Sequence, residues 1–114
     1  MSDPAIVRTP IRHIVMWRVA GTTVEEKRIN VEAVKRGFES LRGIIPGMTH
    51  LEIGIDESRI SYACDMVLVT DFESADALRT YADHPAHRSV RDALDGLRIE
   101  RHQVDYPLPQ AGGV

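Results

Sequence analysis

Residues 11–19 read IRHIVMWRV. Isoleucine, valine and tryptophan dominate the stretch, which predicts a β-strand. Its odd positions are Ile11, His13, Val15, Trp17 and Val19. Its even positions carry Ile14 and Met16 between Arg12 and Arg18. Successive side chains of a strand point to opposite faces, so both faces of this one are apolar in the middle. Such a strand has to be covered on both sides. The rest of the chain must supply two covers, and that requirement decides the architecture.

Working outward, residues 21–47 read GTTVEEKRINVEAVKRGFESLRGIIPG. Thr23 and Glu26 fit a T-x-x-E capping box at a helix start. Val31, Val34, Phe38, Leu41 and Ile45 recur at spacings of three and four, the signature of an amphipathic helix. Gly43 and Pro46-Gly47 supply its end. Residues 48–55, MTHLEIGI, alternate in polarity and predict a second strand. DESRIS, 56–61, is a charged loop, and YACDMVLVTDF, 62–72, predicts a third strand, again apolar on both faces around Met66 to Val69. Ser74 is a cap for a helix over SADALRTYAD, residues 74–83. Pro85 suits the first residue of a new helical segment that runs through Val90, Ala93 and Leu94 towards Gly96. RIERHQVDY, 98–106, is a final strand stopped by Pro107.

The order is strand, helix, strand, strand, helix, strand. That is the α+β, ferredoxin-like βαββαβ arrangement, in which helices cover one face of an antiparallel sheet. A second copy of the chain is the direct way to cover the other. Two sheets face to face then close a dimeric α+β barrel, with the second faces of Val15, Trp17 and their neighbours inside.

Size and composition agree with one domain. The chain has 114 residues, 43% hydrophobic and 27% charged, with a formal net charge of −3 and no basic block. Nucleic acid is thereby excluded as a main partner, since phosphate neutralisation needs clustered Lys and Arg. The single cysteine, Cys64, allows no internal disulfide and suits a reducing compartment. MSDPAIVRTP lacks the apolar core of a signal peptide, and no apolar run nears the ~20 residues of a membrane helix. A cytoplasmic protein with no membrane attachment is the expectation. Residues 1–10 and 107–114 read as flexible ends flanking a domain at 11–106.

The stretch YADHPAHRSV, 81–90, gathers the side chains with most chemistry. His87 is either a general base titrating near neutrality or a helix first-turn residue tied to backbone. His84, directly before Pro85, suits a helix cap. Tyr81 lies on the apolar stripe of its helix and is either packed core or the partner that orients His87. His13 is the one titratable group on an otherwise apolar strand face. It is either a satisfied core residue or, if that face looks into a cavity, a group converging with His87 on one ligand. Asp65 opens the third strand, where a strand-end carboxylate bonds to nearby backbone or a cation. Cys64 reads as an inert buried thiol, and His50 and His102 as surface or interface residues. The five histidines show no metal-ligand spacing, so no metal is expected.

The runs RHIVMW, IIPGM, DMVLVTDFES and YADHPAH, in that order over residues 11–106, resemble the stress-responsive α/β-barrel (Dabb) domain family. The resemblance implies a homodimer whose two sheets form a barrel. Among such proteins, the plant polyketide cyclases, olivetolic acid cyclase included, close a linear chain by an intramolecular aldol reaction without a cofactor. Carried over by position, the cyclase base corresponds to His87, its supporting tyrosine to Tyr81 and its cavity histidine to His13. A further histidine of the cyclase falls where this chain has Cys64-Asp65-Met66, and a helix tyrosine where it has Phe38, so one imidazole and one hydroxyl are absent.

The resemblance thus implies a cofactor-free small-molecule enzyme with its pocket between helices and sheet. It would act by proton transfer on a carbonyl substrate, as a cyclase, isomerase or lyase. Phe38, Asp65, Trp17 and His84 complete the expected site as substrate-binding positions. The alternative is a non-catalytic, stress-associated dimeric or ligand-binding protein; an oxygenase related to the antibiotic-biosynthesis monooxygenases is a weaker enzyme reading.

Overall fold

A computed structural model describes residues 9–109. It contains, in order, β1 (Ile11–Val19), α1 (Val24–Glu39), β2 (Met48–Ile55), β3 (Met66–Phe72), α2 (Ala75–Asp83), α3 (Pro85–Ala93) and β4 (Arg98–Pro107). The strands form one antiparallel sheet in the order β2-β3-β1-β4. This is the expected ferredoxin-like α+β fold, with its second helical segment broken at Pro85. The flexible ends expected at 1–10 and 107–114 lie largely outside the described residues. Where the two meet, Leu108 N donates to Pro10 O at 2.9 Å, and Pro107 ends β4 opposite Ile11, an edge position where a missing N–H costs nothing.

The α1 start departs from the expected capping box in one bond. Thr23 Oγ1 accepts from Glu26 N at 3.0 Å as anticipated, but the Glu26 carboxylate returns to Thr22, accepting from its N and its Oγ1. The helix also ends earlier than Gly43. Ser40 Oγ donates to Gly37 O, and Leu41 and Ile45 reach the core from the turns that follow. The third strand starts at Met66 rather than Tyr62. Asp65 holds the chain before it, donating its N–H to Trp17 O and accepting from Val19 N at 2.7 Å, so residues 62–65 are spent in a turn beside the end of β1.

Helices take the odd face of β1. Val15, Trp17 and Val19 are buried with Leu68 and Phe72 of β3 beneath Val31, Val34 and Phe38 of α1 and Tyr81 of α2. This corrects the expectation that the Val15 and Trp17 side lines a barrel. The uncovered face is the even one. There Ile14 pairs across to Val69 and Val104, and Met16 to Val67 and His102. Met16 is 38% exposed and Val104 56%. At one end of this face Arg12 clamps the buried Asp71 through two hydrogen bonds of 2.8 and 2.9 Å.

The connection from α1 to β2 is packed directly on α2. Gly47 adopts φ +78°, its carbonyl accepts from Glu73 N, and a Cβ there would lie 2.7 Å from Ala77 Cβ. Gly43 has nearly the same backbone, φ +79°, in open space. Gly43→Ala should therefore cost only the left-handed backbone, about 1–2 kcal/mol. Gly47→Ala should lose roughly a further 1–3 kcal/mol from overpacking against α2. Urea unfolding midpoints measure both, and equal losses would show that the loop does not brace α2.

Candidate functional site

The site is made where α2 stops. A helix leaves its last carbonyls without intrahelical partners. His84 follows with an extended backbone, φ −65° and ψ 135°, and Pro85 starts α3. The residue before a proline favours that extended conformation, so the sequence itself makes the corner. His84 then caps α3, its Nδ1 accepting from Ala86 N at 3.0 Å. One turn on, His87 folds back over the end of α2. Its Nδ1 lies 3.1 Å from Tyr81 O and 3.4 Å from Ala82 O. A carbonyl only accepts, so Nδ1 carries the proton and donates, and Nε2 keeps its lone pair. The imidazole stacks on the Tyr81 ring, with centroids 4.1 Å apart and planes 19° from parallel.

His87 is held below its ordinary pKa, first by burial and then by the neighbouring charge of Arg91, against the opposing pull of the two carbonyls. It is therefore neutral at pH 7. Tyr81 is pushed up to about 12, because burial disfavours its phenolate; it remains a neutral phenol. Beneath them, His13 is 6% exposed and sits directly opposite Asp105 of β4. Its Nδ1 is 2.6 Å from Asp105 Oδ1, and its ring meets Tyr81 edge-on at 6.3 Å. A carboxylate on one ring nitrogen fixes which tautomer the other presents.

These groups open on a cleft of about 380 Å³ between the helices and the β1–β4 half of the sheet. Its apolar wall is Val15, Trp17, Phe38, Leu68 and Leu94; its mouth carries Arg91, Arg98 and Arg101. Trp17 and Phe38 stack at 4.9 Å. The Arg98 guanidinium lies over both, 5.3 and 5.4 Å from their centroids. Trp17 Nε1 and Arg98 Nε are buried with no hydrogen-bond partner. His13, Tyr81, His87, Phe38 and Trp17 thus line one cavity.

Two expected members stand apart. Asp65 faces away from this cleft, bonded to Val19 N and to Lys27 Nζ at 3.3 Å, and His84 is occupied with its cap. Sequence reasoning missed Asp105 and the three arginines. Asp105 is legible only through the β1–β4 register. The arginines look like ordinary surface charge until the α3–β4 turn brings them together. On the uncovered face, Cys64, Glu100 and His102 present ligand atoms within 4.8 Å of one another. Glu100 there is already bonded to Arg18 and His102.

The model of the stress responsive A/B barrel domain, Dabb, matches residues 11–108. The chain belongs to that family. No curated protein matches it. Among solved structures, a dimeric ferredoxin-like protein of unknown function from Thermobifida fusca is 26% identical, with 95% of this chain and 99% of that one covered and a TM-score of 0.76. A dimeric protein of the same fold from Bacteroides fragilis, also of unknown function, is 26% identical over 87% of this chain and 96% of its own, again at 0.76. The hydroxynitrile lyase of Passiflora edulis shares the fold at 14% identity, covering 91% of this chain and 97% of its own at 0.74. No helix among the described residues of this Dabb protein is long and apolar enough to cross a membrane.

The state of His87 has a measurable consequence. Its folded pKa lies below the unfolded value, so the unfolded chain binds the proton first as pH falls. The stability His87 contributes is complete above about 6.5 and is lost as pH drops through the lowered folded value. In an NMR titration the His87 imidazole should show its midpoint below 6.5. Between pH 7 and 5 the wild type should lose more stability than His87→Gln. A midpoint at or above 6.5 contradicts the buried, neutral ring.

Proposed function

We propose that this Dabb protein is a cofactor-free small-molecule enzyme acting by proton transfer beside a carbonyl group, in cyclase-, isomerase- or lyase-type chemistry. The observation that carries the reading is the His87 tautomer: Nδ1–H is tied to the end of α2, which leaves Nε2 as a free base in a cleft with one apolar wall. In the proposed reaction Nε2 takes a proton from the carbon alpha to the carbonyl. The electron pair moves onto the carbonyl oxygen, and the enolate is met by a neutral donor, for which Tyr81 has the right protonation state. In a cyclisation the enolate carbon attacks a second carbonyl and the imidazolium protonates the alkoxide formed; in an isomerisation the imidazolium returns its proton to a different carbon of a conjugated enolate; in an elimination the substituent on the next carbon leaves with its bonding pair and takes the proton from the imidazolium. Tyr81 also positions the base through its ring and its backbone carbonyl. His13, oriented by Asp105, shapes or polarises the substrate.

A non-catalytic, ligand-binding dimer is the second reading. The His87 stack and backbone bond favour it, because both are also what a purely structural histidine would make. His87→Ala separates the two. Assayed on a panel of β-dicarbonyl and polyketide-like aromatic carbonyl compounds, the enzyme reading expects a loss of about 10²- to 10⁴-fold in kcat/KM. The wild-type rate should rise with pH through a midpoint below 6.5 and level off by neutrality. Turnover unchanged in the folded variant removes His87 from any catalytic role.

The assembly we propose is a homodimer joined through the uncovered sheet face. The Thermobifida fusca and Bacteroides fragilis structures are described as dimeric, and Ile14, Met16, Val67, Val69 and Val104 form an apolar patch that the chain's own helices do not reach. Sedimentation equilibrium at micromolar concentration should give about twice the 12.8 kDa of one chain. Met16→Glu, in the middle of the patch, should shift the protein to a folded monomer. A wild-type monomer would remove the barrel.

A further inference from the structure

The mouth of the cleft has an unusual charge arrangement. Arg98 is half-buried and is held over the faces of Trp17 and Phe38, with no carboxylate paired to it among the described residues and with its Nε unpartnered. Burying a cation without a counter-charge is costly, and aromatic faces recover only part of that cost. Arg91 and Arg101 line the same mouth. One acidic side chain lines the same mouth, Asp95; the Glu100 carboxylate is turned to the uncovered face and engaged there by Arg18 and His102, which leaves Asp95 against three guanidinium groups. The other unpartnered donor, Trp17 Nε1, belongs to the ring that Arg98 covers.

We propose that the cleft binds a carboxylate: a small, largely apolar molecule whose anionic end pairs with Arg98 and whose body lies on Phe38 towards His87. The inference rests on reading this cleft as the functional site, and it names the substrate class. A guanidinium presents a planar fork that matches the two oxygens of a carboxylate. No lysine lines the cleft, and its walls suit an aromatic or alkyl body rather than a second anionic group. Phe38 lies beside both ends, its ring 6.2 Å from His87 and 5.4 Å from the Arg98 carbon. One modest molecule stacked there touches base and cation together.

The chain's single tryptophan, Trp17, reports on the site directly. Its fluorescence should change saturably on titration with 4-butylbenzoate. The uncharged isostere 4-butylbenzamide should bind about tenfold more weakly or worse, and 4-butylphenylphosphonate no better than the carboxylate. Arg98→Gln should bring benzoate down to the level of the amide, while Arg98→Lys should retain part of the preference. His87→Ala should keep it, since the base is not the anion's partner. Carboxylate preference without turnover would leave this inference standing and sink the enzymatic one. Turnover of neutral carbonyl compounds with no carboxylate preference would do the reverse. Equal binding of benzoate and benzamide by the wild type, no saturable change with either at millimolar concentration, or a preference that survives in folded Arg98→Gln each overturns the proposal. The wild-type comparison needs no variant to fold.

Discussion

A sheet with two apolar faces and only one helical layer is the constraint from which the rest follows. The layer of α1, α2 and α3 buries the odd side of β1, with Val15, Trp17 and Val19 against Phe38 and Tyr81. It cannot also reach Ile14 and Met16, which point the other way from the same strand. Hydrophobic burial scales with area removed from water, so that second face is a standing incentive for self-association. Nor is the helical layer complete. It thins over the β1–β4 half, and the cleft opens there rather than inside a barrel. In this fold the pocket and the proposed dimer surface therefore lie on opposite sides of β1, and each can change without the other.

Within that frame, one corner does two jobs. Pro85 prevents α2 from continuing into α3 and sets the backbone of His84. The break leaves the carbonyls of Tyr81 and Ala82 in need of donors. His84 N supplies one to Tyr81 O, and His87 Nδ1 supplies another. Satisfying those carbonyls fixes the imidazole proton on Nδ1 and turns Nε2 outward as an acceptor. The backbone bond of His87 is thus what a structural histidine and a catalytic one would both make. The bond that stabilises the corner is the one that selects the basic tautomer.

The fold was legible because its signals are local or periodic. The two-faced β1, the cap at Thr23, the alternation of β2 and the proline at 85 each name an element without tertiary information. The errors lay where distant partners decide. Residues 62–65 have strand-like composition, but the bonds from Asp65 to Trp17 and Val19 hold them in a turn. Which face of β1 meets the helices could not be read, because both faces are apolar and only the helix packing distinguishes them. Much of the candidate site was visible through histidine and aromatic positions near HPAH. Asp105 and Arg98 were not, since their meaning comes from register and from the α3–β4 turn. His84 and Asp65 carry site-like chemistry in sequence, yet His84 spends it on the backbone of α3 and Asp65 on Val19 N and Lys27.

The cations at the mouth and the neutral base beside them fit one electrostatic scheme. Burial and then Arg91 hold His87 below its usual pKa, with Arg98 adding in the same direction. Taken alone, this weakens the base. Proton abstraction depends on the difference between base and acid, however, and the field that disfavours an imidazolium favours an enolate or a carboxylate in the same cleft. Tyr81, kept as a phenol by burial, adds a donor without adding charge. The arrangement loses on the strength of its base and gains on the stability of the anion that base would create. Against the apolar wall of the cleft that gain exceeds what the same charges would give in bulk water, because screening there is weaker.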